Sequence, residues 1–295
     1  MMESHKNNTC SSGYWTGEVE AEAAALVSMM PKVINACVIT NEEASVIGTD
    51  NLSNAIYHNA NNVLKLVNGE HDYPADKIKI KKLCEIDVLS KVGSGSAPLA
   101  CCVYHVVPDD HKHINFFYVT NGDTIQSYAR FHIKQKQMST AKAYGDQPVL
   151  AIEAMQTYQR GVYSFGTVLA QMIYEYSVNN GFDGRVALYS VNESGQFYYK
   201  TGFTPLEPSD YNFISAGKQI DGKVMFFTDA AISQWRVRAS QAPILLSQEN
   251  ILRLHTNEIV PSSISMGSMF RQEGKQIEAA TTPSLGTSAA KGVKK

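Results

Sequence analysis

The residues from Ala151 to Phe203, AIEAMQTYQRGVYSFGTVLAQMIYEYSVNNGFDGRVALYSVNESGQFYYKTGF, constrain the fold more than any other part of the chain. Pro148 to Gln156 is an apolar run suited to a strand buried on both faces. From Gly166-Thr167 onward, Val168, Leu169, Met172, Ile173 and Tyr176 recur at the spacing of one face of a helix. Asn179-Asn180-Gly181 ends that helix, because Asn and Gly accept the left-handed backbone of a helix terminus. Arg185 to Val191 reads as a second strand, and Asn192 is placed to cap a short helix that Gly202 closes, with Phe203 packing beneath it. Strand, crossover helix, strand is the unit of an α/β protein.

A strand that turns through a loop into a helix N-terminus is a natural anion site. Backbone N–H groups from Gly161 to Thr167 would point outward, and the helix dipole adds about half a positive charge. Only Gly161 and Gly166 stand in the loop, so phosphate binding and a plain strand–helix connection fit its residues equally.

The second half of the stretch adds a resemblance. Arg160-Gly161 and Gly166-Thr167-Val168-Leu169, followed by Val191-Asn192 and Phe197-Tyr198-Tyr199-Lys200-Thr201-Gly202-Phe203, resemble the GCN5-related N-acetyltransferase (GNAT) superfamily over residues 148–203. The resemblance implies a mixed, splayed sheet flanked by helices with acetyl-CoA in the cleft. It assigns the pyrophosphate to the loop of Arg160, Gly161, Val162, Tyr163, Ser164, Phe165, Gly166 and Thr167, with Asn192 nearby. It assigns the pantetheine to main-chain groups of Ala154, Met155 and Gln156, and the proton for the departing thiolate to Tyr198, with Tyr199 the second choice. The loop departs from the family pattern: the route from Arg160 to Gly166 is one residue longer, Ser164 stands where a glycine is usual, and Tyr163 and Phe165 add bulk. Acyl transfer to an amine also needs a base. Glu153 is the carboxylate of the first strand's apolar run, where burial can raise its pKa, and a satisfied structural carboxylate is the other reading.

Composition narrows the classes. At 295 residues the chain can bury a sizeable core. A net charge of −2 lacks the basic excess of a broad nucleic-acid footprint. No apolar run approaches the roughly 20 residues of a membrane span, and MMESHKNNTCSSGYW lacks the basic-then-apolar pattern of a secretory signal. Five cysteines without CxxC spacing favour reduced thiols in a cytosol, the cell's own or, after non-classical export, another cell's.

The flanks are read more coarsely. Residues 1–17 are polar, and 18–76 form a helical extension: a helix from Glu18 broken at Pro31, a second from Leu52 to Val67, then a turn-rich NGEHDYPAD. KIKIKKLCEIDVLSKV opens the core (77–228) as a strand that becomes helical. Pro98 to Val107 is a strand whose Cys101 and Cys102 read as small hydrophobes. Asp109, Asp110, His111 and His113 read as a solvated turn, with no metal expected. Ile114 to Ile133 is a hairpin turning at Asn121-Gly122-Asp123, with Phe116, Tyr118, Tyr128 and Phe131 packing the sheet. Residues 134–147 are a polar loop able to border the substrate entrance, and Lys223 to Phe227 is the sheet's far edge. Residues 229–260 form a helical appendage, and 261–295, rich in Ser, Thr, Gly, Ala and Lys, a disordered tail.

The expected function is acetyl-CoA-dependent N-acetyl transfer to a primary amine on a protein or small molecule, with no nucleic acid and no membrane span. A GNAT-fold module that binds CoA as a sensor or serves as an inactive adapter, and a βαβ protein binding ATP or NAD, are the alternatives.

Overall fold

The computed structural model describes residues 15, 17–30, 34–39, 51–67, 72–91, 97–111, 113–134, 141–145, 147–191 and 193–245, with the backbone alone at 34–39, 63, 66–67, 133–134 and 141–142. In chain order these form α1 (Gly17–Met29), β1 (Ile34–Ile39), α2 (Asn51–Val67), β2 (Ile78–Val88), β3 (Leu99–Pro108), β4 (Ile114–Asn121), β5 (Thr124–Lys134), β6 (Val149–Thr157), α3 (Phe165–Asn179), β7 (Val186–Ser190), α4 (Gly195–Lys200), β8 (Phe203–Pro205), α5 (Pro208–Ser215), β9 (Lys223–Phe227) and α6 (Asp229–Gln241). Among the described residues nine strands make one open sheet, in the order β1-β2-β3-β4-β5-β6-β7-β9-β8. From β1 to β6 each successive pair is antiparallel, as are the pairs β7–β9 and β9–β8. The parallel pair is β6–β7, joined by the α3 crossover, so the fold is the mixed α/β sheet flanked by helices that the central stretch implies.

The sheet buries both faces. Alternation along β4 sends Phe117 and Val119 to one face and Phe116 and Tyr118 to the other. The first pair joins the main core beneath α3 with Phe131, Ile152 and Leu188. The second meets Ile56, Ala60 and Leu64 of α2 in a separate apolar cluster. Sandwiched between the sheet and α6, α3 is buried from Phe165 to Ser177, on all sides rather than on one. The Tyr174 and Trp235 rings stack there at 5.9 Å.

Several expectations are corrected. The 18–76 extension is not wholly helical: after α1, β1 pairs with β2 and adds a strand to the sheet. IKIKKLCEIDV is one strand of eleven residues, β2, because its register with β3 runs from Ile78↔Pro108 to Val88↔Leu99 and leaves no room for a helix. After α4 the chain forms β8 and α5, and β9 lies between β7 and β8 rather than at the far edge. In the 134–147 loop, Tyr144 is a core residue whose hydroxyl lies 2.8 Å from the carbonyl oxygens of both Val186 and Phe227. The 261–295 tail, and the helical expectation beyond residue 245, lie outside the described residues. Among the described residues no helix is long and apolar enough to cross a membrane.

Candidate functional site

The opening in the sheet is where β6 and β7 part. Their pairing consists of Leu150↔Val186, Ala151↔Ala187 and Ile152↔Leu188, and stops there. Beyond it β7 keeps only the pairing with β9 that it holds on its opposite edge from Ala187 to Ser190, while β6 continues to Thr157 paired on its other side with β5. Antiparallel residues alternate between those bonded to the neighbouring strand and those bonded away from it. Tyr158 N donates to Gln126 O at 2.9 Å, so Tyr158, Gln156 and Ala154 direct their backbone groups at β5. Met155 and Thr157 therefore direct theirs to the side β7 has left. Of the three expected pantetheine residues, Met155 has the right orientation, Ala154 and Gln156 do not, and Thr157 joins it.

Glu153 sits at the irregularity in this ladder. Arg130 pairs with Ala154 and Phe131 with Ile152, which leaves Glu153 as a bulge residue in β6. Its carboxylate is buried, with one oxygen 3.2 Å from Arg130 Nε and the other 2.8 Å from His132 Nδ1. On the same face of β5, Tyr128 donates to Gln156 Oε1 at 3.2 Å and lies 6.4 Å, ring to ring, from Tyr158. Asn59 of α2 accepts from the Tyr118 hydroxyl at 2.9 Å and donates to Tyr158 at 3.3 Å, tying α2 to the start of the loop.

The loop after β6 divides in two. Arg160, Gly161 and Val162 are exposed and Tyr163 half-buried; Gly161 takes φ +80 with open space where a Cβ would be. From Ser164 the chain is buried, and the end of β2 explains why. Ser164 N donates to Leu89 O at 3.2 Å, Lys91 N donates to Val162 O at 2.7 Å, and Ser90 bridges to Tyr163. The Ser164 N–H is thus spent within the protein, and the outward-facing part of the expected anion loop narrows to residues 160–163.

Gly166 has a packing role. A Cβ there would stand 2.6 Å from the ring carbons of Phe197 in α4, so that ring closes over the first turn of α3 where close approach of a phosphate was expected. The same contact brings α4, and with it Tyr198, to the α3 N-terminus. Tyr198 is buried against Phe203, ring centroids 5.7 Å apart. Burial pushes its phenol up to about 12, with a hydrogen bond to Ser194 acting the other way, so it holds its proton at neutral pH. Tyr199 is committed elsewhere: Glu22 of α1 accepts from the hydroxyls of both Tyr199 and Tyr211. Asn192 lies outside the described residues; Ser194 is the N-cap of α4, its hydroxyl donating to Val191 O at 2.6 Å.

The sequence reading missed Arg130, His132 and Thr157. Alternation in SYARFHIK puts Tyr128, Arg130 and His132 on one face, but which carboxylate meets them depends on a register set across strands. Among the described residues, no three His, Cys, Asp or Glu side chains are grouped to hold a metal. Asp109, from the PDDHKH turn, pairs with Lys79 at 2.9 Å. No protein-family model matches the chain, and no curated protein matches it in sequence.

Proposed function

We propose that the chain is an acetyl-CoA-dependent N-acetyltransferase acting on a primary amine in a cytosol. The observation that carries the reading is the divergence of β6 from β7 after Ile152↔Leu188, which leaves the backbone of Met155 and Thr157, among the described residues, as an open ladder edge. A pantetheine arm carries amides that pair with such an edge as a third strand would. The edge runs directly into the exposed turn at Arg160-Gly161-Val162, where a guanidinium and a positive-φ glycine suit a diphosphate. Tyr198, protonated and next to the α3 N-terminus, supplies the proton that a departing thiolate needs. In the reaction the amine nitrogen bonds to the acetyl carbon, the C–S bond breaks, and CoA leaves as the thiol.

A second reading, a GNAT-like module acting through its surfaces without catalysis, is favoured by the Phe197 ring over Gly166 and by the Ser164 amide spent on Leu89. Thermal unfolding in parallel with acetyl-CoA, CoA, ATP and NAD separates the readings. A ligand at a hundred times its Kd adds about 2.7 kcal/mol, several degrees for a domain of this size. Stabilisation by the CoA species and not by ATP or NAD is expected, weakened by Gly161→Val in the exposed turn. Indifference to both CoA species overturns the acyltransferase.

A further inference from the structure

The first turn of α3 is buried with its donors unanswered. Among the described residues, the first amide of the helix to find an acceptor is that of Val168, on Ser164 O at 3.1 Å; those of Phe165, Gly166 and Thr167 find none. Ser164 does not cap them. A capping serine has an extended backbone, whereas Ser164 stands at φ −83 and ψ 31 and makes no cap bond. Its hydroxyl is fully buried and has no partner of its own. Buried donors without acceptors are costly, and a group of them at one helix end is a place built for an anion.

We propose that Phe197 is the gate of this end: its ring covers the α3 N-terminus in the free chain and swings off it when the diphosphate of CoA binds, which exchanges an apolar cover for acceptors. The inference rests on the acyl-CoA reading and concerns how that same site opens.

The ring lies against the backbone between Phe165 and Thr167, its carbons 2.6 Å from a Cβ built on Gly166. An aromatic ring offers an amide at most a weak π contact, so it seals the donors from water without satisfying them. The geometry confines the movement to this one side chain. Phe197 is half-buried, at the boundary with solvent, whereas the rest of α4 is fixed. Gln196 Nε2 donates to Ile214 O at 2.8 Å and to Lys218 O at 2.9 Å. Ile220 stands 2.9 Å from a Cβ built on Gly195, and Glu22 holds the Tyr199 hydroxyl. The helix stays in place, and the ring leaves by turning about its own side-chain bonds. Its neighbour is Tyr198, with ring centroids 5.2 Å apart in an edge-on contact. The gate therefore rests on the residue assigned to protonate the thiolate.

The test measures binding to the full chain by calorimetry, with acetyl-CoA and with acetyl-pantetheine, which carries the same thioester arm without the diphosphate. Phe197→Ala should bind acetyl-CoA about 10-fold more tightly, the factor lost by a site that is closed about nine-tenths of the time. Its affinity for acetyl-pantetheine should match that of the parent. Phe197→Leu, which keeps the core filled if the alanine variant does not fold, should tighten acetyl-CoA binding by a smaller factor. In the parent, a nuclear Overhauser contact between the Phe197 ring and the Gly166 Hα protons should disappear at saturating acetyl-CoA. A ring that serves only as packing gives the reverse, weaker binding as α4 loosens. Unchanged or weaker acetyl-CoA binding in a folded variant, equal tightening for acetyl-pantetheine, or a contact that persists at saturation overturns the gate and leaves the acyl-CoA reading standing. Failure of the parent chain to bind acetyl-CoA overturns that reading itself.

Discussion

Gly166 shows how a single residue changes meaning between sequence and structure. In the sequence it marks a place where a phosphate can approach the backbone; in the fold the missing Cβ is the seat of the Phe197 ring. Gly166→Ala should therefore lower stability by about 1–3 kcal/mol through overpacking. Trimming the ring with Phe197→Ala should make the second substitution nearly neutral, so that a double-mutant cycle by urea unfolding shows strong coupling. Additive effects would mean that the ring moves aside freely. Because the Gly166 contact is structural, the cleaner probe of an anion site is Gly161, where no neighbour stands within 4 Å of a built Cβ.

Between elements, burial of polar groups sets the acid limit of the fold. His105 of β3 lies under α3, with its Nε2 2.9 Å from Asn115 Oδ1 of β4; the Tyr176 hydroxyl of α3 donates to the same oxygen at 3.2 Å. Burial pulls the imidazole down from 6.5 to about 4; the hydrogen bond with Asn115 opposes this and the charge of Lys81 adds to it. A group whose folded pKa is depressed contributes stability that is complete above the unfolded value and lost as pH falls through the folded one. The β3–β4–α3 layer should thus lose up to about 3 kcal/mol between pH 6.5 and 4, at about 1.4 kcal/mol per unit. Urea midpoints measured across that range should fall steeply in the parent chain and less steeply in His105→Gln. Equal slopes would place the acid sensitivity elsewhere.

At the scale of the whole molecule, the chain beyond α6 is fastened to the crossover helix by one buried carboxylate. Glu175 of α3 accepts from the backbone N–H of Ile244 at 3.0 Å and from that of Leu245, while Gln171 donates to Ala242 O at 2.6 Å and Asn179 to Leu245 O at 3.3 Å. These three side chains are spaced four residues apart on one stripe of α3, which is why that helix is buried on the side away from the sheet too. Truncation after Gln241 removes the buried Ile244 and Leu245 side chains and both amide donors from Glu175. It should destabilise the chain by about 4 kcal/mol or more, whereas Glu175→Gln in the full chain should cost less, since the apolar anchors stay. A truncated chain with an unchanged denaturation midpoint would show that the anchor contributes nothing.

The sequence by itself determined the elements whose signal is local. The Asn-Gly hairpin of β4 and β5, the apolar strand β6, the periodic α3 with its Asn180 stop, and the Gly202 turn at φ +89 all follow from residues within a few positions of one another. The mixed α/β class follows from their order. Tertiary structure alone decided what depends on register and distant contact. A one-residue bulge aims Glu153 at Arg130 and His132 rather than into the cleft, and the same ladder points Met155 and Thr157 away from β5. The end of β2 takes the backbone of the loop, 72 positions away in sequence, and a phenylalanine from α4 fills the notch at Gly166. β8, not the expected β9, takes the far edge for a related reason: a three-residue strand carrying Pro205 can serve at an edge, where one side of its backbone needs no partner, and not in the interior of a sheet.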